Sequence, residues 1–184
     1  KNDLLNLGLF KNKELNDDEK ASIEKISIQN KLKDNVLRFI SLHPRSKREI
    51  TDYLVKRKKA DKEIVLNLIQ DLEQKGIISD EKFAKWFVEN RKNYGAHGVN
   101  KIKAELIKKG IDKEIISDVL VSFSESSEDR EAEIKKISDY AQKISKTIKH
   151  YDLKDLNQKI VKRLMGRGFQ YEDIKKAMKI LNEY

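Results

Sequence analysis

The side chains best suited to metal ligation or proton transfer near neutral pH are three histidines, His43, His97 and His150, and they are scattered. None has a histidine four residues away or an acidic companion at ligand spacing, so no metal site is expected. The chain has no cysteine, which excludes disulfides and thiolate ligands. It also lacks a phosphate-binding Gly-x-x-x-x-Gly-Lys loop, a Gly-x-Ser-x-Gly elbow and a His-Glu-x-x-His pair. No pair of carboxylates stands out from the charged background, so neither catalysis nor a cofactor is expected. What recurs is cations: Arg57 and Lys58, Arg91 and Lys92, Lys101, Lys108 and Lys109, Arg163 and Arg167, with Tyr94 as an aromatic beside one run. Their chemistry is recognition of carboxylates or phosphates, with stacking or cation–π contact at the tyrosine. These ten are the candidate partner-binding residues.

The elements that must position them are helices. Ser79, followed by Asp80 and Glu81, is an N-cap with an acidic first turn. Phe83, Trp86, Phe87 and Asn90 then share one face. Gly95 and Gly98 break that helix, and Val99, Ile102 and Leu106 stripe a second one. Gly110 suits a left-handed C-terminal cap, and Asp112 opens a third helix through Ile115, Ile116, Val119, Leu120 and Phe123. Upstream, Asn16-Asp17-Asp18-Glu19 caps a helix carrying Ile23 and Ile26, and a further helix runs through Leu32, Val36, Leu37, Phe39 and Ile40. Ser46 and Glu49 have capping-box spacing, and Asp61 caps a helix closed by Gly76. The segment Leu4–Phe10 reads either as a strand end or as an apolar loop. Residues 122–129, rich in serine and acid, read as a mobile linker. Helices through Ile137 and Ile144, Ile160 and Leu164, and Ile174 and Met178 follow.

Overlaying these units exposes a repeat. Leu106-x-x-x-Gly110-Ile111-x-x-x-x-Ile116 matches Leu164-x-x-x-Gly168-Phe169-x-x-x-x-Ile174 without a gap, and Leu54-x-x-x-Lys58-Lys59-x-x-x-x-Ile64 matches more weakly. Ile50, Ile102 and Ile160 precede the three leucines by four residues. The expected fold is all-α: an elongated array of three tandem three-helix repeats behind an N-terminal helical segment. The expected boundaries are 1–31, 32–77, 78–124 and 125–184. With 184 residues, 38% hydrophobic and 39% charged, the composition suits several thin cores better than one large one. No apolar run approaches the length of a membrane span and no leader pattern is present. A cytoplasmic monomer is expected, and the start at Lys1 leaves room for a missing upstream segment.

Four motifs in order resemble the RecX family. Pro44-Arg45-Ser46 with Glu49-Ile50 resembles the opening of that family's first repeat. Asp80-Glu81-Lys82-Phe83-Ala84, Arg91, Gly98, Ile102, Glu105-Leu106 and Lys109-Gly110-Ile111 resemble the second. Arg167-Gly168-Phe169 with Ile174 resembles the third, and Gly8-Leu9-Phe10 with Glu14-Leu15 resembles the approach segment. The resemblance covers roughly residues 35–181, departing from it at Lys58-Lys59, where glycine is common. It implies a non-enzymatic regulator that lies along the filament of the RecA recombinase. It also implies that the protein modulates, with inhibition the expected direction, ATP hydrolysis, strand exchange and co-protease activity. The residues themselves support only a basic helical repeat protein, which leaves direct binding of single- or double-stranded DNA, or of RNA, as the alternative.

The formal net charge is +9. Residues 32–124 and 141–184 each carry +6, and residues 125–140 carry −3. The basic blocks read either as an electrostatic footprint for a nucleic-acid-containing filament or as solvation of helix backs. Trp86 reads as core rather than as a binding anchor. Arg91 reads as a brace on a carboxylate rather than a partner contact, and Tyr94 as either a stacking aromatic or a packed turn residue. Arg57, Lys109 and Arg167 each stand three residues after a register leucine. They read as a row of cations along one side, as dipole-stabilising ends of second helices, or as both.

Overall fold

The computed structural model describes residues 15–94, 97–123, 127–148 and 153–182. Nine helices run through them. They are α1 (Asp17–Ile40), α2 (Lys47–Asp52, continued by a π-helical turn over Tyr53–Arg57), α3 (Lys62–Gln74), α4 (Asp80–Tyr94), α5 (Val99–Lys108), α6 (Lys113–Ser122), α7 (Ser127–Thr147), α8 (Leu153–Gly166) and α9 (Tyr171–Asn182). No strand occurs among the described residues. The apolar stretch Leu4–Phe10 lies outside them. So do residues 124–126 of the expected linker, whose C-terminal part is already helical from Ser127.

Local chemistry starts these helices where side-chain oxygens can satisfy their orphan N–H groups. Asn16 and Glu19 form a reciprocal capping box, and so do Ser46 and Glu49. The Asp61 carboxylate accepts from the Glu63 and Ile64 N–H groups, and the Ser79 hydroxyl accepts from the Lys82 N–H at 3.2 Å. Asp112 occupies an N-cap position, but its side chain makes no capping bond. The two helices read before Pro44 form one helix of 24 residues. No glycine or proline lies between Ile26 and Leu32 to interrupt it, and in α1 burial is confined to the end of Leu32 and Val36.

Each triplet of helices closes over its own core. Leu32, Val36, Ile50, Leu54, Val65 and Leu72 form the first. Phe83, Phe87, Ile102, Leu106 and Ile116 form the second, and Ile137, Ile160, Leu164, Phe169 and Ile174 the third. The register leucines and the isoleucines four residues before them are all buried, so the repeat read from the sequence is the packing repeat. The three cores remain separate clusters along the chain, so the units stand in series and share no common core.

The first unit departs from the gapless overlay. The π-helical turn inserts one residue into the end of α2, so the left-handed position falls on Lys59 (φ 56°) and not on Lys58. The backbone confirms the shift. Ala60 N–H donates to the Leu54 carbonyl as Ile111 N–H donates to Leu106 and Phe169 N–H to Leu164. Lys58, not Arg57, is therefore the counterpart of Lys109 and Arg167, and Val65, not Ile64, that of Ile116 and Ile174.

The units join through the ends of their second helices. The Ser46 hydroxyl at the start of α2 donates to the Lys109 carbonyl at the end of α5, 2.8 Å away. At the next joint the Gly98 N–H donates to the Arg167 carbonyl at 2.9 Å, and the Asn100 N–H to Gly168 at 3.1 Å. The positive N-terminal end of one second helix thus meets the negative C-terminal end of the next, so α2, α5 and α8 form a head-to-tail column of helix dipoles. Such close approach requires Gly168, which has a φ of +85°; a Cβ there would lie 2.3 Å from the Lys101 amide nitrogen.

Candidate interaction surface

The column of second helices places most of the candidate cations near its joints, and the joints divide them. Arg57, Lys58, Lys108 and Arg163 are exposed. Lys58 also lies over the Tyr53 ring, 5.5 Å from its centroid, and Tyr53 stacks on Phe39 at 4.3 Å. Lys101 is half-buried, and Arg91, Lys92, Lys109 and Arg167 are bound into the protein. Arg91 Nε pairs with Glu105 at 2.8 Å and its guanidinium lies over the Phe87 ring, which is the bracing role expected of it. Lys92 Nζ donates to the Phe123 carbonyl at 2.6 Å, while the Lys92 carbonyl accepts from Lys136 Nζ. Tyr94 ends α4, and its side chain lies outside the described residues.

Lys109 and Arg167 each cover an aromatic face of their own unit. Lys109 Nζ sits 5.6 Å and 5.4 Å from the Phe83 and Phe87 centroids, and the Arg167 guanidinium is 4.3 Å from that of Tyr140. With Lys58 over Tyr53, all three cap cations share this arrangement. Lys109 does more: its ammonium pairs with Glu49 of the first unit at 2.6 Å. Burial opposes ionisation of Glu49, but the Lys109 hydrogen bond and the Ser46 N–H outweigh it, so its carboxyl titrates below the ordinary value.

The first joint also draws together groups of both units whose pairing no local pattern marks. Asp80, buried at the start of α4, accepts from the Lys47 N–H at 2.8 Å, so the second unit supplies a carboxylate to the N-terminus of α2. Burial raises the Asp80 pKa against the pull of Lys47. The Lys47 ammonium bonds Glu73 at 2.8 Å, and this bond raises its own pKa. Trp86 is half-buried against the second core and stacks on His43 of the first unit at 5.2 Å. A visible signal existed for Ser46 alone, since it occupies the same position before its register leucine as Gly98 does.

At the second joint the chain brings Lys101, Arg91 and Arg167 around His97. Burial and these cations hold the imidazole below its ordinary pKa, with Glu105 opposing them. His97 shares a cavity of about 210 Å³ with Lys92, Lys136, Glu133 and Phe169, and burial raises the Glu133 pKa. Arg163 and Arg167 line a second recess with Tyr140. No cluster of potential metal ligands occurs among the described residues, and no helix among them is long and apolar enough to cross a membrane. The arrangement can hold units together and present cations, and both are functions of binding.

Comparison with known proteins fits this architecture. A family model described as RecX, second three-helix domain, matches residues 79–120, the span of α4 to α6. The regulatory protein RecX of Bacillus subtilis (strain 168) is 31% identical over 175 residues, 95% of this chain and 64% of the relative. That of Oceanobacillus iheyensis is 30% identical over 166 residues, 90% of this chain and 59% of the relative. That of Streptococcus thermophilus is 29% identical, covering 92% and 63%. The chain thus spans about three-fifths of the length of these curated relatives. A crystal structure of regulatory protein RecX superposes with a TM-score of 0.82 at 23% identity, over 96% of this chain and 85% of that one. RecX from Lactobacillus salivarius gives 0.72 at 24%, over 85% and 97%. At these identities the two structures speak for the fold. The chain is thus similar to the RecX regulatory proteins, in its second three-helix domain by the family model and along most of its length by these relatives.

Proposed function

We propose that this chain is a non-enzymatic regulator that binds the filament of a RecA-type recombinase and depresses its ATP hydrolysis, strand exchange and co-protease activity. The recombinase enters through the family, whose relatives are named regulatory proteins. The observation that carries the reading is that every second helix leaves cations exposed in or beside its last turn, among them Arg57 and Lys58 on α2, Lys108 on α5 and Arg163 on α8. Arg57 and Lys108 are in register once the inserted residue of α2 is allowed for, and Arg163 stands three residues earlier on α8. Exposed cations spread over all three units suit an extended partner, and a filament presents acidic and phosphate groups along its length. In this reading Lys109, Arg167 and Arg91 serve the fold, while Arg57, Lys108 and Arg163 serve the partner. The protein works as a cytoplasmic monomer without a cofactor.

The net charge of +9 favours one second reading, direct binding of DNA or RNA through counterion release. The test is DNA-dependent ATP hydrolysis by the cognate RecA, titrated with the wild-type protein and with Arg57→Glu/Lys108→Glu/Arg163→Glu. Because all three are exposed, the variant is expected to stay within about 1.5 kcal/mol of wild-type stability, at about 0.5 per surface site. It should inhibit only at far higher concentration, and wild-type association should slow as salt rises. Equal inhibition by the two proteins discards these contact residues. Tight binding to bare DNA, with no added effect of assembled RecA and nucleotide, replaces the filament reading with the nucleic-acid one.

A further inference from the structure

The third unit carries a groove between α8 and α9 whose wall and rim differ in residue type from the equivalent positions of its sister units. It encloses about 570 Å³. Its apolar wall is Val161 from α8 with Tyr171, Ile174 and Met178 from α9, and its rim includes Lys175 and Lys176. Ile174 and Met178 belong to the core, but Tyr171 is 55% exposed.

The tandem repeat supplies an internal control, because equivalent positions in the three units face the same structural demand. Where the third unit has Val161 and Tyr171, the second has Lys103 and Lys113 and the first has Thr51 and Lys62. Where the third has Lys175 and Lys176, the second has Ser117 and Asp118 and the first Leu66 and Asn67. The core positions beneath, Ile174 and Met178, are apolar in every unit, as Ile116 and Leu120 and as Val65 and Ile69. The three-helix plan therefore requires the floor of the groove but neither its apolar wall nor its basic rim. Exposed aliphatic and aromatic surface costs solubility without return in an isolated unit, and it stands here beside three lysines, Lys175, Lys176 and Lys179, and one acid, Glu172.

We infer that the α8–α9 groove of the third unit docks an acidic amphipathic helix of a protein partner, with apolar side chains seated between Val161 and Tyr171 and carboxylates meeting Lys175 and Lys176. The charge complementarity selects acid, and the apolar wall selects a peptide over a sugar–phosphate backbone, which has no aliphatic side chains to bury there. This inference does not depend on which partner the exposed cations of α2, α5 and α8 engage.

The test uses a fluorescein-labelled 16-residue peptide with leucines at helical spacing and glutamates elsewhere. A peptide of the same composition with scrambled order and a 16-nucleotide single-stranded DNA are the comparisons. Fluorescence anisotropy is read on wild-type protein, on Tyr171→Lys, and on Val161→Lys/Tyr171→Lys/Lys175→Ser/Lys176→Asp, which installs the residues of the second unit. Wild type is expected to prefer the amphipathic peptide over the scrambled one by about 10-fold or more, which corresponds to 1.4 kcal/mol. Both variants should lose that preference while melting like the wild type, and the exposed Tyr171→Lys keeps the test intact if the fourfold variant unfolds. Equal binding of the two peptides, or an unchanged preference in Tyr171→Lys, overturns the proposal. DNA binding that falls with these substitutions as much as peptide binding assigns the groove to nucleic acid instead. A concentration-dependent dimer abolished by Tyr171→Lys assigns it to a second copy of the chain.

Discussion

The Ser46 hydroxyl donates to the Lys109 carbonyl across 63 residues of sequence, at 2.8 Å. The same oxygen accepts from the Glu49 N–H at 3.1 Å, so one side chain caps its own helix and holds the end of another. Around that atom the Glu49–Lys109 ion pair and the Asp80–Lys47 bond complete the joint between the first and second units. Units of this size have thin cores, and much of their stability comes from such interfaces.

Ser46→Ala removes both roles, whereas Asn16→Ala removes an exposed cap alone. Loss of a cap costs about 1 kcal/mol, and the part-buried carbonyl left without its donor adds up to about 1–3 kcal/mol. Urea denaturation should therefore place Ser46→Ala well below Asn16→Ala. Equal midpoints for the two variants would mean that the joint bond adds nothing to stability.

Close helix-end packing predicts unequal costs for two glycines that share a left-handed backbone. Gly76 (φ +67°) has open space where a Cβ would stand, whereas at Gly168 the Cβ would meet the Lys101 amide at 2.3 Å. Gly76→Ala should cost about 1–2 kcal/mol from backbone conformation alone. Gly168→Ala should cost distinctly more and should loosen the α5–α8 joint, read as faster amide exchange at Gly98 and Asn100. A thermal shift no larger than that of Gly76→Ala counts against the joint.

The Glu49 carboxyl is held below its ordinary pKa of 4.5. The unfolded chain then takes up this proton at higher pH than the folded one. The stabilisation is present above 4.5 and is lost as pH falls through the lower folded value. Asp80 shifts the other way because burial dominates, so the total acid response mixes two signs. The difference between wild type and Glu49→Gln isolates one of them. The wild-type advantage in denaturation midpoint should shrink between pH 6 and pH 3; a difference independent of pH removes the Lys109 pair from the account of the joint.

His97 makes the second joint sensitive in a milder range. Burial, then Lys101 and Arg91, lower its pKa below 6.5, Glu105 opposes them, and Arg167 adds to the lowering. Protonation therefore favours the opened state, and stability held above pH 6.5 falls as pH drops through the folded value. Protection of the Gly98 and Asn100 amides, normalised to intrinsic exchange rates, should decline from pH 7.5 to pH 5.5. His97→Gln should flatten that decline, and an identical slope in the variant would place its cause elsewhere.

The sequence by itself determined most of the helices and their threefold grouping, though not the union of two expected helices in α1. Caps at Asn16, Ser46, Asp61 and Ser79 act within three residues, and helical periodicity places Leu54, Leu106 and Leu164 on buried faces whatever surrounds them. It also contained the family resemblance, since short motifs in fixed order survive without tertiary knowledge. Only the tertiary structure decided which cations are spoken for. The partners of Lys109 and Arg91 are Glu49 and Glu105, 60 and 14 residues away, and in a chain that is 39% charged no local pattern picks those carboxylates from the rest. The inserted residue in α2 was hidden for a similar reason. Lys58 and Lys59 are the same residue type, so the overlay could not tell which takes the left-handed turn. Backbone geometry under the load of core packing moved that turn by one position and, with it, the row of cations from Arg57 to Lys58.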